Sequence, residues 1–346
     1  MLLFHNDYNE ICHPEILRCM QDSASSQMPG YGLDTACQRA ADLIRKQCCN
    51  EDVDVHFLVG GTQTNLTVIA SALRPHQAVV GADSAHINVH ETGAVESTGH
   101  KVIGLPSKDG KITVDQIDNV VTAQRYSPDA EHIAQPKMVY LSNPTELGTI
   151  YTLCELEAIS QYCRSNGLYL FIDGARLGYG LVAADNDVAL SDLARLCDVF
   201  YIGGTKVGAM FGEAVVISDP CIKEDFRYLI KQRGGMLAKG WLLGLQFETL
   251  FKDDLYFRIS EHAVRLADHI RGVLKMLGYP LYVPGTTNQI FVALPNNLLS
   301  KLDGDFTYAA WEKLDSESTI VRFCTSWATK ADSVDALCEA LRSYSC

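Results

Sequence analysis

The stretch Leu168-Tyr-Leu-Phe-Ile-Asp-Gly-Ala-Arg176 decides the fold, because an apolar, strand-like run ends in one aspartate followed by glycine. A second stretch, Asp198-Val-Phe-Tyr-Ile-Gly-Gly-Thr-Lys206, follows the same pattern and ends in a lysine. Short buried strands that present ionisable residues at their carboxyl ends are typical of sites in open α/β sheets. The two stretches therefore predict an α/β protein in which Asp173 and Lys206 lie at neighbouring sheet edges.

Strand-like and helix-like patterns alternate on both sides of these stretches, which predicts a mostly parallel central sheet with helices on both faces. We divide the chain into an N-terminal arm and helix (residues 1–50), a large domain (51–240), and a linking helix with a smaller C-terminal α+β domain (241–346). The same patterns predict helices over His86 to Ser97, over Tyr308 to Leu314, and over a long region from about Lys239 to Leu277.

The composition limits the functions that are open to this chain. Its 346 residues carry a net charge of -13, which argues against nucleic acid or an anionic membrane as a partner. Its twelve cysteines are scattered without a C-x-x-C pair, so we expect reduced thiols. No apolar run approaches the ~18 residues of a membrane span, and the first residues lack the pattern of a signal peptide. We expect a cytoplasmic protein.

The segment Gly60-Gly-Thr-Gln-Thr-Asn65 lies between a predicted strand and a predicted helix. Glycines allow a ligand close to the backbone, and the free amides of a helix start attract anions, so the segment is a candidate phosphate site. The alternative is an ordinary turn in which Thr62 caps the helix. The spacing matches neither a Walker A loop nor a G-x-G-x-x-G fingerprint.

His86 stands at the next strand-to-helix junction, where it could stack on an aromatic ring or move a proton. The alternative is a capping or core histidine. His90 lies one helical turn further on, but the chain offers no third and fourth ligand at convincing spacing, so we expect no metal site.

Asp173, Arg176 and Lys206 carry the sharpest chemical signal. A buried aspartate needs a cationic or hydrogen-bonding partner, and either Arg176 or a protonated pyridine nitrogen could supply it. Lys206 is either an exposed loop lysine or, with its pKa lowered by desolvation, a nucleophilic amine. A phosphate loop, a histidine, an aspartate and a lysine, each at a strand end, together predict a pyridoxal 5'-phosphate (PLP) enzyme with Lys206 as its Schiff-base residue.

These motifs, in this order, resemble those of the low-specificity threonine aldolases, within the β-eliminating lyase group of fold type I PLP enzymes. Asp173-Gly-Ala-Arg176 matches the family motif fully, and Gly61-Thr-Gln-Thr-Asn65 resembles its phosphate-binding segment. Ala85-His86 with Glu91-x-Gly93 resembles its cofactor-stacking segment, and Lys206 falls at the Schiff-base position. The likeness covers most of the chain.

The resemblance implies a role for each site residue. Gly61 and Thr62 would hold the cofactor phosphate, His86 would stack on its ring, and Asp173 would keep its nitrogen protonated. The substrate would contact Asn6, Tyr31, Arg176 and Arg322, the two arginines through its carboxylate. Either His86 or His132, which falls where the family has a second active-site histidine, would remove a proton from the β-hydroxyl group. Lys231 and Arg233 lie near a basic Gly-Gly-Met segment without an assignable role.

The chain departs from the family pattern in three places. Asn6 stands where many members have serine, and Asn143-Pro-Thr145 stands where many have Asn-Thr-His. Gly203-Gly-Thr205 precedes the lysine, where many members have a segment that ends in serine. They touch the cofactor phosphate, the substrate carboxylate and the β-substituent side, and they leave the cofactor prediction intact.

The implied reaction is aldol cleavage of threonine or allo-threonine to glycine and acetaldehyde. The alternatives are another PLP-dependent lyase or aminotransferase reaction, or a catalytically silent binding protein with the same fold. The resemblance also implies a homodimer or homotetramer with active sites at the dimer interface, where Tyr31 serves the neighbouring subunit.

Overall fold

The computed structural model describes residues 1–344, so Cys346 lies outside the described residues. The strands are β1 (Leu2–Leu3), β2 (Asp54–Leu58), β3 (Gln77–Ala82), β4 (Lys101–Leu105), β5 (Gln135–Ser142), β6 (Tyr169–Asp173), β7 (Val199–Gly203), β8 (Glu213–Ile217), β9 (Gln289–Pro295), β10 (Phe306–Thr307), β11 (Ala309–Lys313) and β12 (Ser318–Cys324).

The helices are α1 (Pro14–Asp22), α2 (Thr35–Cys48), α3 (Gly61–Ala72), α4 (His86–Val89), α5 (Val114–Arg125), α6 (Leu153–Asn166), α7 (Leu177–Leu181), α8 (Leu190–Leu196), α9 (Pro220–Lys223), α10 (Phe226–Gln232), α11 (Trp241–Phe251), α12 (Leu255–Met276), α13 (Asn296–Leu302) and α14 (Ala331–Tyr344). Short 3₁₀ turns occupy Glu96–Thr98, Ala130–His132 and Lys252–Asp254.

The central sheet has seven strands in the order β2-β8-β7-β6-β5-β3-β4. Strands β7, β6, β5, β3 and β4 pair in parallel, while β8 runs antiparallel to both of its neighbours. All residues of β3 and β7 are buried, which explains why these strands read as continuous apolar runs. The predicted mostly parallel sheet is confirmed, and the carboxyl ends of β5, β6 and β7 lie side by side.

Helix α6 shows how local sequence fixes the crossover that brings β6 beside β5. Thr152 and Glu155 form a capping box at its start, with each side chain accepting from the other residue's backbone N–H. Gly167 ends the helix in the left-handed conformation at φ 65°. Leu156, Ile159 and Cys163 recur at helical spacing on its buried face.

A second, antiparallel sheet of order β11-β12-β9 packs near α12, α13 and α14 around its own apolar cluster. The chain start joins this part, because β1 pairs in parallel with β10 and Phe4 lies in the same cluster. The small C-terminal α+β unit matches the predicted fold, while the domain boundaries at residues 50/51 and 240/241 stay predictions.

The predicted helix over Tyr308 to Leu314 is wrong, because Ala309–Lys313 is strand β11. It pairs with β12, and Ala309 lies opposite Arg322. Pairing with a neighbouring strand outweighs local propensity in short segments of this kind.

Two further helix predictions are too long. The helix at His86 ends at Val89, and the following residues Thr92 and Gly93 adopt positive φ angles that no α-helix contains. The long region from Lys239 to Leu277 consists of α11 and α12, which are separated where Asp253 and Asp254 adopt φ angles of 53° and 55°.

Within residues 1–344, no helix has the combined length and apolar character that crossing a bilayer would require. The cytoplasmic location stays a prediction.

Candidate active site

Neighbouring parallel strands bring the two key residues to one edge of the sheet. Asp173 is the last residue of β6, and Lys206 follows the last residue of β7 by three positions. The ends of these strands approach closely at Gly174, where a Cβ atom would lie 2.0 Å from the backbone oxygen of Tyr201. The glycine after Asp173 is therefore required by packing against β7.

Six of the predicted site residues line one cavity of about 190 Å³: Gly61, Thr62, His86, Asp173, Arg176 and Lys206. The remaining walls include the carboxyl groups of Glu146 and Glu213 and the hydroxyl group of Tyr201.

Asp173 is buried and fully hydrogen-bonded. Its Oδ2 accepts from Tyr140 Oη at 2.5 Å and Asn65 Nδ2 at 3.0 Å, and its Oδ1 accepts from Tyr201 Oη at 2.5 Å and the Ala175 N–H at 3.0 Å. Burial alone would raise the pKa of Asp173, but these donors and the nearby His86 outweigh burial and hold the pKa below its usual value. Asp173 is thus an ionised counter-charge for a cation in the cavity.

Lys206 lies beside a second buried carboxyl group, Glu213 at the start of β8. Burial and the charge of Arg176 lower the pKa of Lys206, although Asp7, Asp173 and Glu213 act in the opposite direction. Burial raises the pKa of Glu213 to about 8, and its oxygens accept from Thr205 Oγ1 at 2.8 Å and the Gly204 N–H at 3.0 Å. A lysine with a lowered pKa carries more of the neutral, nucleophilic amine.

The start of α3 forms another wall of the cavity. Gly60 occupies the capping position without a side-chain cap, so the alternative in which Thr62 caps the helix is wrong. The first amides of a helix lack intrahelical acceptors and attract anions. A Cβ atom at Gly61 would lie 3.1 Å from Tyr201 Oη, so glycine leaves room between the helix start and this hydroxyl group.

His86 is held by a chain of buried polar groups. Its Nδ1 lies 2.8 Å from Glu91 Oε1, which also accepts from Asn65 Nδ2 at 2.8 Å, and Asn65 continues to Asp173. With Nδ1 engaged by a carboxylate, Nε2 is the ring nitrogen left for other partners.

A second cavity of about 360 Å³ adjoins the first. The two share His86, Glu146, Arg176 and Lys206, and the second adds Tyr8, His90, Trp311 and Arg322. Arg322 comes from β12 of the small sheet, where its guanidinium lies 5.7 Å from the Trp311 ring centroid and Nη2 donates to the His5 carbonyl at 3.0 Å. Its buried Nε has no acceptor among residues 1–344, so a bound carboxylate would satisfy it.

Arg176 is already paired. Its Nε and Nη2 donate to the two oxygens of Asp7 at 2.7 and 3.0 Å, and Asn288 Nδ2 donates to Asp7 at 2.8 Å. Burial acts against both charges, but the pairing lowers the pKa of Asp7 and raises that of Arg176. The structural ion pair expected for Arg176 therefore exists, with Asp7 rather than Asp173 as the carboxylate.

Two other predicted site residues, Tyr31 and Asn6, do not line either of these two cavities. Tyr31 borders a separate cavity with Arg227, and its ring centroid lies 4.9 Å from Lys231 Nζ. Asn6 precedes Asp7, and its Oδ1 accepts from the Tyr8 N–H at 3.1 Å. Arg233 meets helix α3 through its carbonyl oxygen, which accepts from Gln63 Nε2 at 3.1 Å.

His132 is exposed in the 3₁₀ turn before β5, whereas the cavity adjoins the last residue of that strand, Ser142. Strand β5 has 8 residues, and an extended strand advances about 3.3 Å per residue, so the two ends are roughly 25 Å apart. The structure does not bring His132 near Lys206 within this chain. The sequence shows that His132 is close to β5, but it does not show at which end of that strand the site forms.

Sequence reasoning missed several functional candidates: Asp7, Tyr140, Glu146, Tyr201 and Glu213. Asn65 and Glu91 belong to motifs that it quoted, but it gave them no role of their own. Tyr140 and Tyr201 lie inside otherwise apolar strands, and a lone polar atom in a buried strand is a signal that could have pointed to them.

The cavity fits PLP. A nucleophilic amine, an ionised buried carboxylate and free amides at a helix start are the groups that bind its aldehyde, its pyridine nitrogen and its phosphate. The structure supplies them as Lys206, Asp173 and the start of α3.

Comparisons with known proteins agree with this geometry. A sequence profile of the beta-eliminating lyases matches residues 15–295. A low specificity L-threonine aldolase of Pseudomonas aeruginosa is 30% identical over 97% of this chain and 96% of its own length. The solved structure of a Leishmania major threonine aldolase is 46% identical, with a TM-score of 0.98 over 100% of both chains.

A more distant structure, the Sphingomonas wittichii serine palmitoyltransferase, shares the fold at 13% identity, with a TM-score of 0.73 over 99% of this chain and 86% of its own. The chain belongs to the beta-eliminating lyase family and is a PLP-dependent lyase of fold type I.

Proposed function

We propose that this protein cleaves the Cα–Cβ bond of threonine or allo-threonine to give glycine and acetaldehyde. The observation that carries the proposal is the joined pair of cavities, in which Lys206 and Asp173 meet two arginines from different sheets. The similarity to threonine aldolases over the full length supports the same reaction.

Bound PLP supplies an electron sink for the substrate α-carbon. Lys206 Nζ would hold the cofactor aldehyde, Asp173 would stabilise the positive charge on the pyridine nitrogen, and the amides of Gly61 and Thr62 would hold the phosphate. His86, fixed through Glu91, would contact the cofactor ring.

The substrate carboxylate binds in the second cavity. Arg322 offers an Nε donor that has no acceptor within residues 1–344, and Arg176 adds a guanidinium whose Nε and Nη2 are engaged by Asp7. Holding the carboxylate fixes which bond of the α-carbon is oriented for cleavage. Of the two histidines predicted to act as the base, His86 is the one that lines both cavities.

The test is incubation of the purified protein and PLP with L-threonine and L-allo-threonine. We expect equal amounts of acetaldehyde and glycine, and no turnover in Lys206→Ala. The matched control is Lys275→Ala, which removes an exposed lysine of α12 and should retain full activity. Release of ammonia and a keto acid in place of acetaldehyde would identify the protein as an eliminating enzyme and refute the proposal.

We further infer a homodimer or homotetramer in which Tyr31 serves the neighbouring active site. Tyr31 is 46% exposed and has a left-handed φ of 64°, although it lies outside the Lys206 cavity of its own chain. Light scattering measures the assembly, and a fully active monomer would contradict this inference.

Mixed assemblies of Lys206→Ala and Tyr31→Ala chains should regain part of the activity if each chain completes the site of the other.

A further inference from the structure

Glu146 is a carboxyl group at the place where the two cavities meet. It lines both of them, together with His86, Arg176 and Lys206. Its Oε1 accepts from Ser142 Oγ at 2.6 Å and from the His86 backbone N–H at 2.8 Å. Its Oε2 accepts no hydrogen bond from another residue in the described part of the chain. Oε1 is thus held by two other residues, and among the described residues Oε2 has at most the backbone N–H of Glu146 itself as a donor, so it can accept a proton from a ligand.

Its surroundings suit a group that takes up a proton. Burial and the charge of Asp173 raise the pKa of Glu146 above its usual value, although its hydrogen bonds act against them. The other charged groups that line the two cavities are Lys206, Arg176, Arg322 and Glu213. A carboxylate with a raised pKa is a stronger base than an exposed carboxylate, and its pKa is closer to neutral pH.

We propose that Glu146 is the catalytic residue that removes the proton from the substrate β-hydroxyl group, an inference that rests on the aldol cleavage proposed above. The proton moves from the hydroxyl oxygen to Oε2, and the electron pair of the O–H bond forms the aldehyde C=O bond. The pair of the Cα–Cβ bond remains with the α-carbon, which later takes up one proton as glycine forms. Glu146 then releases its proton to solvent, so the one proton lost by the hydroxyl group balances the one gained by the α-carbon, and no oxidant or reductant is needed.

The contacts of His86 agree with this division of roles. Its backbone N–H fixes Oε1 of Glu146, and its Nδ1 is engaged by Glu91. The His86 backbone N–H therefore positions Glu146, while Glu146 itself lines both cavities.

The decisive experiment compares two reactions of the PLP-loaded Glu146→Gln protein. Cleavage of threonine requires loss of the β-hydroxyl proton, whereas exchange of the glycine α-hydrogen in D₂O, followed by NMR, does not. We expect cleavage to fall by roughly 10²–10⁴-fold, and glycine exchange to stay within about threefold of the wild type. The change in cofactor absorbance on adding glycine measures substrate binding separately, and it should keep its midpoint.

Two further variants separate chemistry from structure. Glu339→Gln, which neutralises an exposed carboxylate of α14, is the matched control and should retain full cleavage activity. Glu146→Ala should lose cleavage and regain part of it with added formate, because formate replaces the missing carboxylate. No rescue by formate in a protein that still exchanges glycine would overturn the assignment.

Other outcomes are equally clear. Cleavage by Glu146→Gln at the wild-type rate would overturn the assignment in favour of His86. Equal losses of cleavage and exchange would show that Glu146 shapes the cavity and is not the base. A wild-type protein that exchanges glycine but cleaves neither threonine isomer would instead refute the proposed function.

Discussion

Arg176 and Arg322 line the same cavity, but their charges are stabilised by different kinds of partner. Arg176 follows β6 of the large sheet and is paired through two hydrogen bonds with buried Asp7. Arg322 lies in β12 of the small sheet, where it stacks on Trp311 and donates to a carbonyl oxygen. Within residues 1–344, Arg322 has no carboxylate partner at ion-pair distance.

Burial explains the difference. The Arg176 side chain is only 13% exposed, and a guanidinium so far from water requires a counter-charge. Arg322 is half-buried at the junction of the two sheets, so contacts with an aromatic ring and a carbonyl oxygen are enough to stabilise its charge. We therefore expect Arg176 to serve mainly the architecture, and Arg322, which has no counter-charge within residues 1–344, to be the main attraction for a substrate carboxylate.

The strongest test of this comparison is Asp7→Asn. It leaves the Arg176 guanidinium buried without a counter-charge, so we expect the free energy of unfolding to fall by about 3–5 kcal/mol. The matched control is Glu157→Gln, which breaks a pair with Arg195 at 3.1 Å in which the two side chains are 49% and 52% exposed, and which should cost far less because solvent screens an exposed pair. Urea unfolding at one protein concentration measures both, and similar losses would contradict the comparison.

The pH dependence of stability should identify the same pair. The pKa of Asp7 in the folded protein lies below the ordinary aspartate value of 3.8. The pair therefore stabilises the protein fully above that value, and the contribution is lost as the pH falls through the folded-state pKa. We expect the difference in stability between wild type and Asp7→Asn to shrink in acid. A difference that is constant across this range would show that the loss is not electrostatic.

Arg322→Gln should change substrate binding rather than folding. Loss of a charge-assisted hydrogen bond of about 1.5–3 kcal/mol predicts a 10- to 100-fold increase in KM for threonine. The free energy of unfolding should change by less than about 1 kcal/mol, because no partner charge is left behind. Steady-state kinetics measure the change in KM, and urea unfolding measures the change in the free energy of unfolding. An unchanged KM would remove Arg322 from carboxylate binding.

The smallest effect is expected from Trp311→Leu. The cation–π contact of Arg322 with this ring is worth about 0.5–1 kcal/mol, so KM should rise by about two- to fivefold. Trp311→Phe keeps an aromatic face and should give a smaller increase. An increase as large as that of Arg322→Gln would mean that Trp311 contacts the substrate itself.

The strand-end residues could be predicted because their signals are local. Short apolar runs followed by glycine pointed to Asp173, Arg176 and Lys206, and the structure places all three around one cavity. The Arg176 partner could not be found in this way, since Asp7 is 169 residues distant along the chain. Trp311 was hidden for another reason, because its segment was predicted to be a helix and is strand β11.

The sequence by itself determined the alternation of strands and helices, the cofactor class and the lysine proposed to carry it. These features follow from burial periodicity and from residue types that act over a few positions of chain. Only the tertiary structure decided which arginine is neutralised, that His132 lies at the far end of β5, and that Glu146 stands between the cavities. The reason is that charge interactions and cavity walls depend on distances in space, which strand order and sheet packing set.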